Sequence, residues 1–184
     1  MKSDRLHLNS VKTQFIWVGS RQQLASVSVT EIVLNGFSIK TSPVVTCLGV
    51  KIDAELTFST HVKQVAARCF YQLRQLWSIR PALTSDNAIS LMLIHALIAS
   101  RVDYCNSVLF QTAAVHIRPL QSVTNATARL VVKKRKSDSI TPTLRDTLHW
   151  LLVRERIDFK LCLLVRTRTV GFGPRSFSVA GPSL

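Results

Sequence analysis

The sequence predicts an α+β fold, a small antiparallel sheet followed by a basic helical bundle. Three observations carry this expectation. β-branched and aromatic segments broken by turn residues fill the first third, and apolar residues at three- and four-residue spacing dominate from Ser59 onward. With 184 residues, 47% of them apolar, the chain can also build a genuine core. The organisation expected is a β segment over 1–58, a helical region over 59–165 and a poorly ordered tail over 166–184.

The first strand expected is Lys12–Gly19, largely buried and stopped by its glycine. Thr30–Leu34 and Phe37–Thr41 flank Asn35-Gly36, the pair that best accepts the positive φ angles of a tight hairpin turn. After Pro43, the run Val44–Val50 reads as one more strand that extends the sheet.

From Ser59 the period changes. Val62, Val65, Ala66, Cys69, Phe70, Leu73, Leu76 and Trp77 make one apolar helical face, with Ser59 or Thr60 as its cap. Lys63, Arg68, Arg74 and Arg80 fall mostly off that stripe, so the helix has a cationic exposed side, which a solvated face alone would also explain. Ser85-Asp86 reads as the cap of an apolar helix through Ile89, Leu93, Leu97 and Ile98, which belongs in the core. Pro119 suits a first helical turn, followed by a face of Leu120, Val123, Thr127, Leu130 and Val131. Lys133-Lys134-Arg135-Lys136 then meets the negative end of that helix, where cations are favoured without any ligand. Thr141-Pro142 restarts a helix, and Ile157, Leu161, Leu164 and Val165 mark the last one. At Arg166 the composition shifts abruptly towards glycine and proline.

Charge narrows the function. The 24 Lys and Arg against 10 Asp and Glu leave a formal +14, which a polyanion relieves; nucleic acid ranks first as partner, anionic membrane second and solubility third. The longest apolar run, Ala88–Ala99, is about a dozen residues against the roughly 20 needed to cross a bilayer. Cys47, Cys69, Cys105 and Cys162 lie too far apart for a zinc module or disulfide framework and read as core thiols in a reducing, intracellular compartment, cytoplasmic or nuclear.

Catalytic patterns are absent from the sequence. Two-metal phosphoryl chemistry needs converging carboxylates, and the close pairs are Asp53 with Glu55, in what reads as a solvated loop, and Glu155 with Asp158, among cations in a pattern of surface helix ion pairs. His7, His61, His95, His116 and His149 lack the spacing of a helical metal pair, and Gly171-Phe172-Gly173 is broken by Pro174. No metal site and no cofactor is expected. Nucleic-acid binding survives, resting on Lys63, Arg68, Arg74, Arg129 and Lys133 to Lys136, with Trp17, Phe70, Tyr71, Trp77 and Trp150 as stacking candidates that also suit a core.

Leu8–Thr13 with the segment ending at Gly19, then Cys47-Leu48-Gly49-Val50 and Leu56-Thr57-Phe58, resemble the end of the palm in reverse transcriptases of non-LTR, LINE-type retrotransposons. Ser100–Ser107, Leu120–Leu130, Leu148–Leu151 and Arg156–Lys160 resemble the thumb that comes next in that family, and the likeness spans nearly the whole chain in the family's order. Leu152 departs from the family's proline. The stretch from Gly173 to Ser183 resembles a segment the family carries farther downstream, which implies an internal deletion near Arg166.

The resemblance implies that Lys12 is the family's lysine near the incoming nucleotide, and that Cys47, Leu48 and Gly49 form the turn that holds the primer end. The helices from Ser59 would grip the template–primer duplex. RNA, DNA or their hybrid, together with the missing palm and fingers portion, are the partners implied, and Mg²⁺ belongs to the full-length family enzyme. The family's catalytic aspartates precede the Lys12 segment, so this chain is expected to be an inactive fragment that at most binds template–primer. Two alternatives stand beside that reading, a remnant without a role and a domesticated interaction module.

Overall fold

A computed structural model describes residues 9, 12–34, 36–79 and 92–171. Two antiparallel hairpins precede a series of helices, the expected α+β class, and the chain divides into two compact units at 61/62.

In the first unit, β1 (Glu31–Leu34) pairs with β2 (Phe37–Lys40), Leu34 opposite Phe37. That register leaves two positions for the turn, 35 and 36, and Gly36 takes a φ of +80°. The strand expected over 44–50 does not extend this sheet. It splits into β3 (Val44–Cys47) and β4 (Val50–Asp53), a second hairpin in a sheet of its own, with Cys47 opposite Val50. The chain reverses at Leu48-Gly49, where both residues have positive φ, +48° and +83°. Gly49 accepts that conformation freely, whereas Leu48 holds it against its own side chain.

The strand expected over 12–19 is likewise corrected, to a single bridge between Phe15 and Thr41. Irregular bonds tie the segment down instead: Thr46 N–H donates to Gln14 Oε1 (2.8 Å), Ser42 N–H to the Phe15 carbonyl (2.9 Å) and Gly19 N–H to the Ala54 carbonyl (3.1 Å). After it comes α1 (Arg21–Ala25), closed by a reciprocal capping box between Ser20 and Gln23.

Asp53 ends β4 and organises the turn after it. Its carboxylate accepts from Thr57 Oγ1 (2.7 Å), Thr57 N–H (2.9 Å) and Phe58 N–H (2.6 Å), folding a turn in which Leu56 and Phe58 both have positive φ. α2 (Ser59–Ser78) begins directly after it. Ser59 is therefore the first helical residue and not a cap, and its N–H donates to Thr57 Oγ1 (3.3 Å).

In the second unit α2 buries Val62, Ala66, Cys69, Leu73 and Leu76, as its periodicity predicts. The next helix, α3, is described over 92–103, wound as α-helix at 92–94, as π-helix over His95–Ala99 and again as α-helix over Ser100–Asp103. Ile94, Ile98 and Val102 are buried along it, while Met92 and His95 are exposed, so it is less enclosed than its composition suggests. Ser85, Asp86 and Ile89 lie outside the described residues. Cys105, at φ +51°, turns the chain into a 3₁₀ turn, Asn106–Leu109.

α4 (Ala114–Val131) buries the whole predicted face and adds Ile117, Thr124 and Ala128 to it. It starts five residues before Pro119, so the proline is interior to the helix and one intrahelical bond, to the Val115 carbonyl, is forfeited near its N-terminal end. Ala128 packs with Ile140 and Leu144, flanked by Val132, Leu148, Trp150 and Leu152. Leu144 belongs to a π-helical turn, Thr143–Thr147. α5 (Val153–Gly171) packs on α4 and on the 3₁₀ turn. Its helical backbone continues through 166–171, which corrects the expected break at Arg166; the helix stops at a glycine, and the rest of the expected tail lies outside the described residues. Of the predicted inward residues Ile157 is buried and Leu161 half-buried, while Leu164 and Val165 are exposed.

Candidate nucleic-acid interface

α2 carries the clearest charged surface. Its twenty residues hold no Asp or Glu, and Lys63, Arg68 and Arg74 are all exposed, without an ion-pair or hydrogen-bond partner among the described residues. At about 100° per residue, Lys63 and Arg74 fall within about 20° of one another and roughly 16 Å apart along the axis, whereas Arg68 lies about 140° round from Lys63. Tyr71, 57% exposed, projects between them, about 80° from Lys63. The face is thus a tyrosine ring flanked by cations, opposite the buried stripe. A sequence signal for it exists: no acidic residue occurs between Glu55 and Asp86. Arg80 lies outside the described residues.

The other expected cations are spread elsewhere. Lys133 leaves α4 in a left-handed conformation (φ +57°), the place glycine usually takes after a helix, and Lys133 to Lys136 are all exposed. Lys134 Nζ donates to Thr143 Oγ1 (2.6 Å), and the Arg135 N–H to Asp138 Oδ2 (3.0 Å). Arg129 is half-buried, donates to the Asp138 carbonyl (3.2 Å) and keeps a buried Nε without a partner among the described residues. These bonds hold the loop after α4, so Arg129 and Lys134 serve the fold at least as much as the surface.

In the first unit Lys12 is exposed, its N–H turned back to the Asn9 carbonyl and side chain. Cys47, Leu48 and Gly49 form the exposed tip of the second hairpin, with Leu48 84% exposed. They therefore form a turn at the end of β3.

Two expectations about the thiols and carboxylates are corrected. Cys69 is a core thiol: burial pushes it above its ordinary value, and Arg101 offsets part of the shift. Cys47 and Cys162, however, are exposed, because one sits on a hairpin tip and the other on the outer side of α5. Asp53 is not a solvated loop carboxylate. Burial raises it, but the bonds from Thr57 and Phe58 outweigh that and hold it below its ordinary value, while Glu55 beside it is exposed. His61, buried, accepts the Lys51 N–H at Nδ1 (3.4 Å).

The ion pairs of α5 do not run along the helix. Glu155 pairs with Arg145 (2.9 Å) and accepts the Leu152 N–H, which holds its carboxyl below the ordinary value against burial, with help from Arg145. Arg156 reaches Asp103, 53 residues away, through Nε (2.9 Å) and Nη2. Arg154 donates to the Thr112 carbonyl (2.9 Å). Sequence spacing could not reveal these links, because the three partners lie in other elements.

Among the described residues no group of three or more His, Cys, Asp or Glu could hold a metal ion, and no helix is long and apolar enough to cross a membrane. Comparisons with protein-family models, with curated proteins and with solved structures give no match for this chain.

Proposed function

We propose that this chain is the palm-edge and thumb portion of a LINE-type reverse transcriptase, and that it binds template–primer nucleic acid through the outer face of α2. The observation that carries the binding is the acid-free α2 surface, with Lys63, Arg68 and Arg74 set around the exposed Tyr71. Cations without partners are free to release counterions from phosphates, and their roughly 16 Å span matches about five phosphates of one strand. Such contacts hold a duplex in place without reading its sequence. The exposed cations of 133–136 supply a second patch for the same polyanion.

The test is anisotropy of a labelled RNA–DNA hybrid titrated with the chain across a salt series. Affinity should fall steeply with salt. Replacing Lys63, Arg68 and Arg74 together by glutamine should flatten the slope of log K against log salt by about 2 to 3. Absence of binding at low salt, or an unchanged slope in the variant, refutes the reading.

A second reading, an interaction module, draws on the exposed Phe159, Leu163, Leu164 and Val165 of α5. A reproducible protein partner displaced by Phe159→Ser would support it.

A further inference from the structure

Ser137 comes directly after Lys133-Lys134-Arg135-Lys136, and all five residues are exposed and lie outside helix and strand. Its hydroxyl has no hydrogen-bond partner among the described residues. Several other serine hydroxyls are committed: Ser26, Ser78, Ser100 and Ser122 each donate to a carbonyl three or four residues back, Ser38 to Glu31 and Ser42 to the Val44 carbonyl. Ser137 is thus a free nucleophilic hydroxyl at the end of a cationic run.

Few bonds hold this loop. The Arg135 N–H donates to Asp138 Oδ2 (3.0 Å), the Asp138 N–H to the Arg135 carbonyl (3.3 Å) and Arg129 Nη2 to the Asp138 carbonyl (3.2 Å). All three involve the exposed Asp138, so water can replace them, and the loop opens into the extended form that an enzyme groove grips. Four cations before a free hydroxyl select a groove lined with carboxylates, the recognition chemistry of basophilic serine kinases. Rival positions suit such a groove less well. Ser139 has the Asp138 carboxylate immediately before it, Ser42 is half-buried, and Thr169, after Arg166 and Arg168, lies in the helical backbone of α5.

We infer that Ser137 is a phosphorylation site for a basophilic serine kinase, and that its modification weakens the grip of 133–136 on a polyanion. Ser137 Oγ bonds to the γ-phosphorus of ATP as the bond from that phosphorus to the β–γ bridging oxygen breaks. ADP leaves, and the hydroxyl proton passes to the base of the kinase. Phosphoserine carries about −1.5 to −2 charges at neutral pH, so it cancels about half of the four charges before it, and its oxygens accept from the same side chains. The effect on binding rests on the nucleic-acid reading of the chain, whereas the site of modification does not.

The test incubates the chain with the catalytic subunit of cyclic-AMP-dependent protein kinase and Mg·ATP, then reads the product by mass and peptide mapping. One phosphate per chain should appear, on Ser137. Ser137→Ala should remove it. Arg135→Gln changes an exposed side chain that has no partner among the described residues, and it should slow the transfer about tenfold, the loss of one charge pair in the groove. Phosphorylation should flatten the slope of log K against log salt for the RNA–DNA hybrid by about 1 to 2, while Ser137→Ala treated alike keeps the full slope. No phosphate, or phosphate confined to Ser139 or Thr169, overturns the site. An unchanged slope in the phosphorylated chain overturns its consequence for binding. Absence of hybrid binding by the untreated chain sinks the nucleic-acid reading and that consequence together, and leaves the mapped site standing.

Discussion

Replacing Asp53 by asparagine should loosen the start of α2 while leaving its shape intact. The carboxylate takes three bonds from Thr57 and Phe58 on both of its oxygens, so asparagine turns a donor towards at least one N–H or O–H that needs an acceptor. Bonds to a charged acceptor contribute about 1.5–3 kcal/mol each when sheltered, but this group is only partly buried, so a net loss of about 1–2 kcal/mol is the reasonable scale, and about 2–3 for alanine. Released strain offsets part of that loss, since Leu56 and Phe58 stay left-handed only while the knot holds them. The sign of the pH dependence comes from the depressed carboxyl. Its stabilisation is complete well above the ordinary value of 3.8 and disappears as pH falls through the lower folded value. Amide exchange at Thr57, Phe58 and Ser59 measures this locally. The wild type should protect these amides about tenfold more than Asp53→Asn at pH 6, with the gap narrowing as the pH falls below 3.8. Equal protection at pH 6, or a gap that widens on acidification, would refute the account.

The second unit supplies two further tests. Leu144 is fully buried against Ala128 and Ile140, so Leu144→Ala should cost about 2–4 kcal/mol in urea denaturation without changing the slope of the transition. Asp103 and Arg156 are about a quarter to a third exposed at the side chain, so their cycle through Asp103→Asn and Arg156→Met should show a coupling of about 1–2 kcal/mol, and additive losses would show that the pair contributes nothing.

Local chemistry decided the parts of the fold that could be read from the sequence. Asn35-Gly36 announced the first hairpin, and the buried stripes of α2 and α4 obey their periodicity. Val44–Val50 misled because an apolar run has no internal mark of reversal when its turn holds leucine in place of asparagine. Ser20-x-x-Gln23 is a capping-box pattern, a local signal for α1 that the strand-like residues before it obscured. The cations of α2 were legible as residues off the apolar stripe, and their lack of acidic neighbours only sharpened this. The link between Arg156 and Asp103 was not legible: the two residues lie 53 positions apart, and their meeting is a property of the folded chain and not of spacing.

The two hairpins of the first unit form an internal control. Both leave two residues between their paired strands, yet the sequence puts asparagine and glycine there in one and leucine and glycine in the other. Exchanging a favoured turn residue for a branched one in the left-handed region costs about 1–2 kcal/mol, and Leu48 recovers none of it by burial. Neither backbone preference nor the hydrophobic effect favours leucine at that point. A search for stabilising replacements would therefore single out position 48 first, and the same search would remove the one apolar side chain that this tip presents to its surroundings.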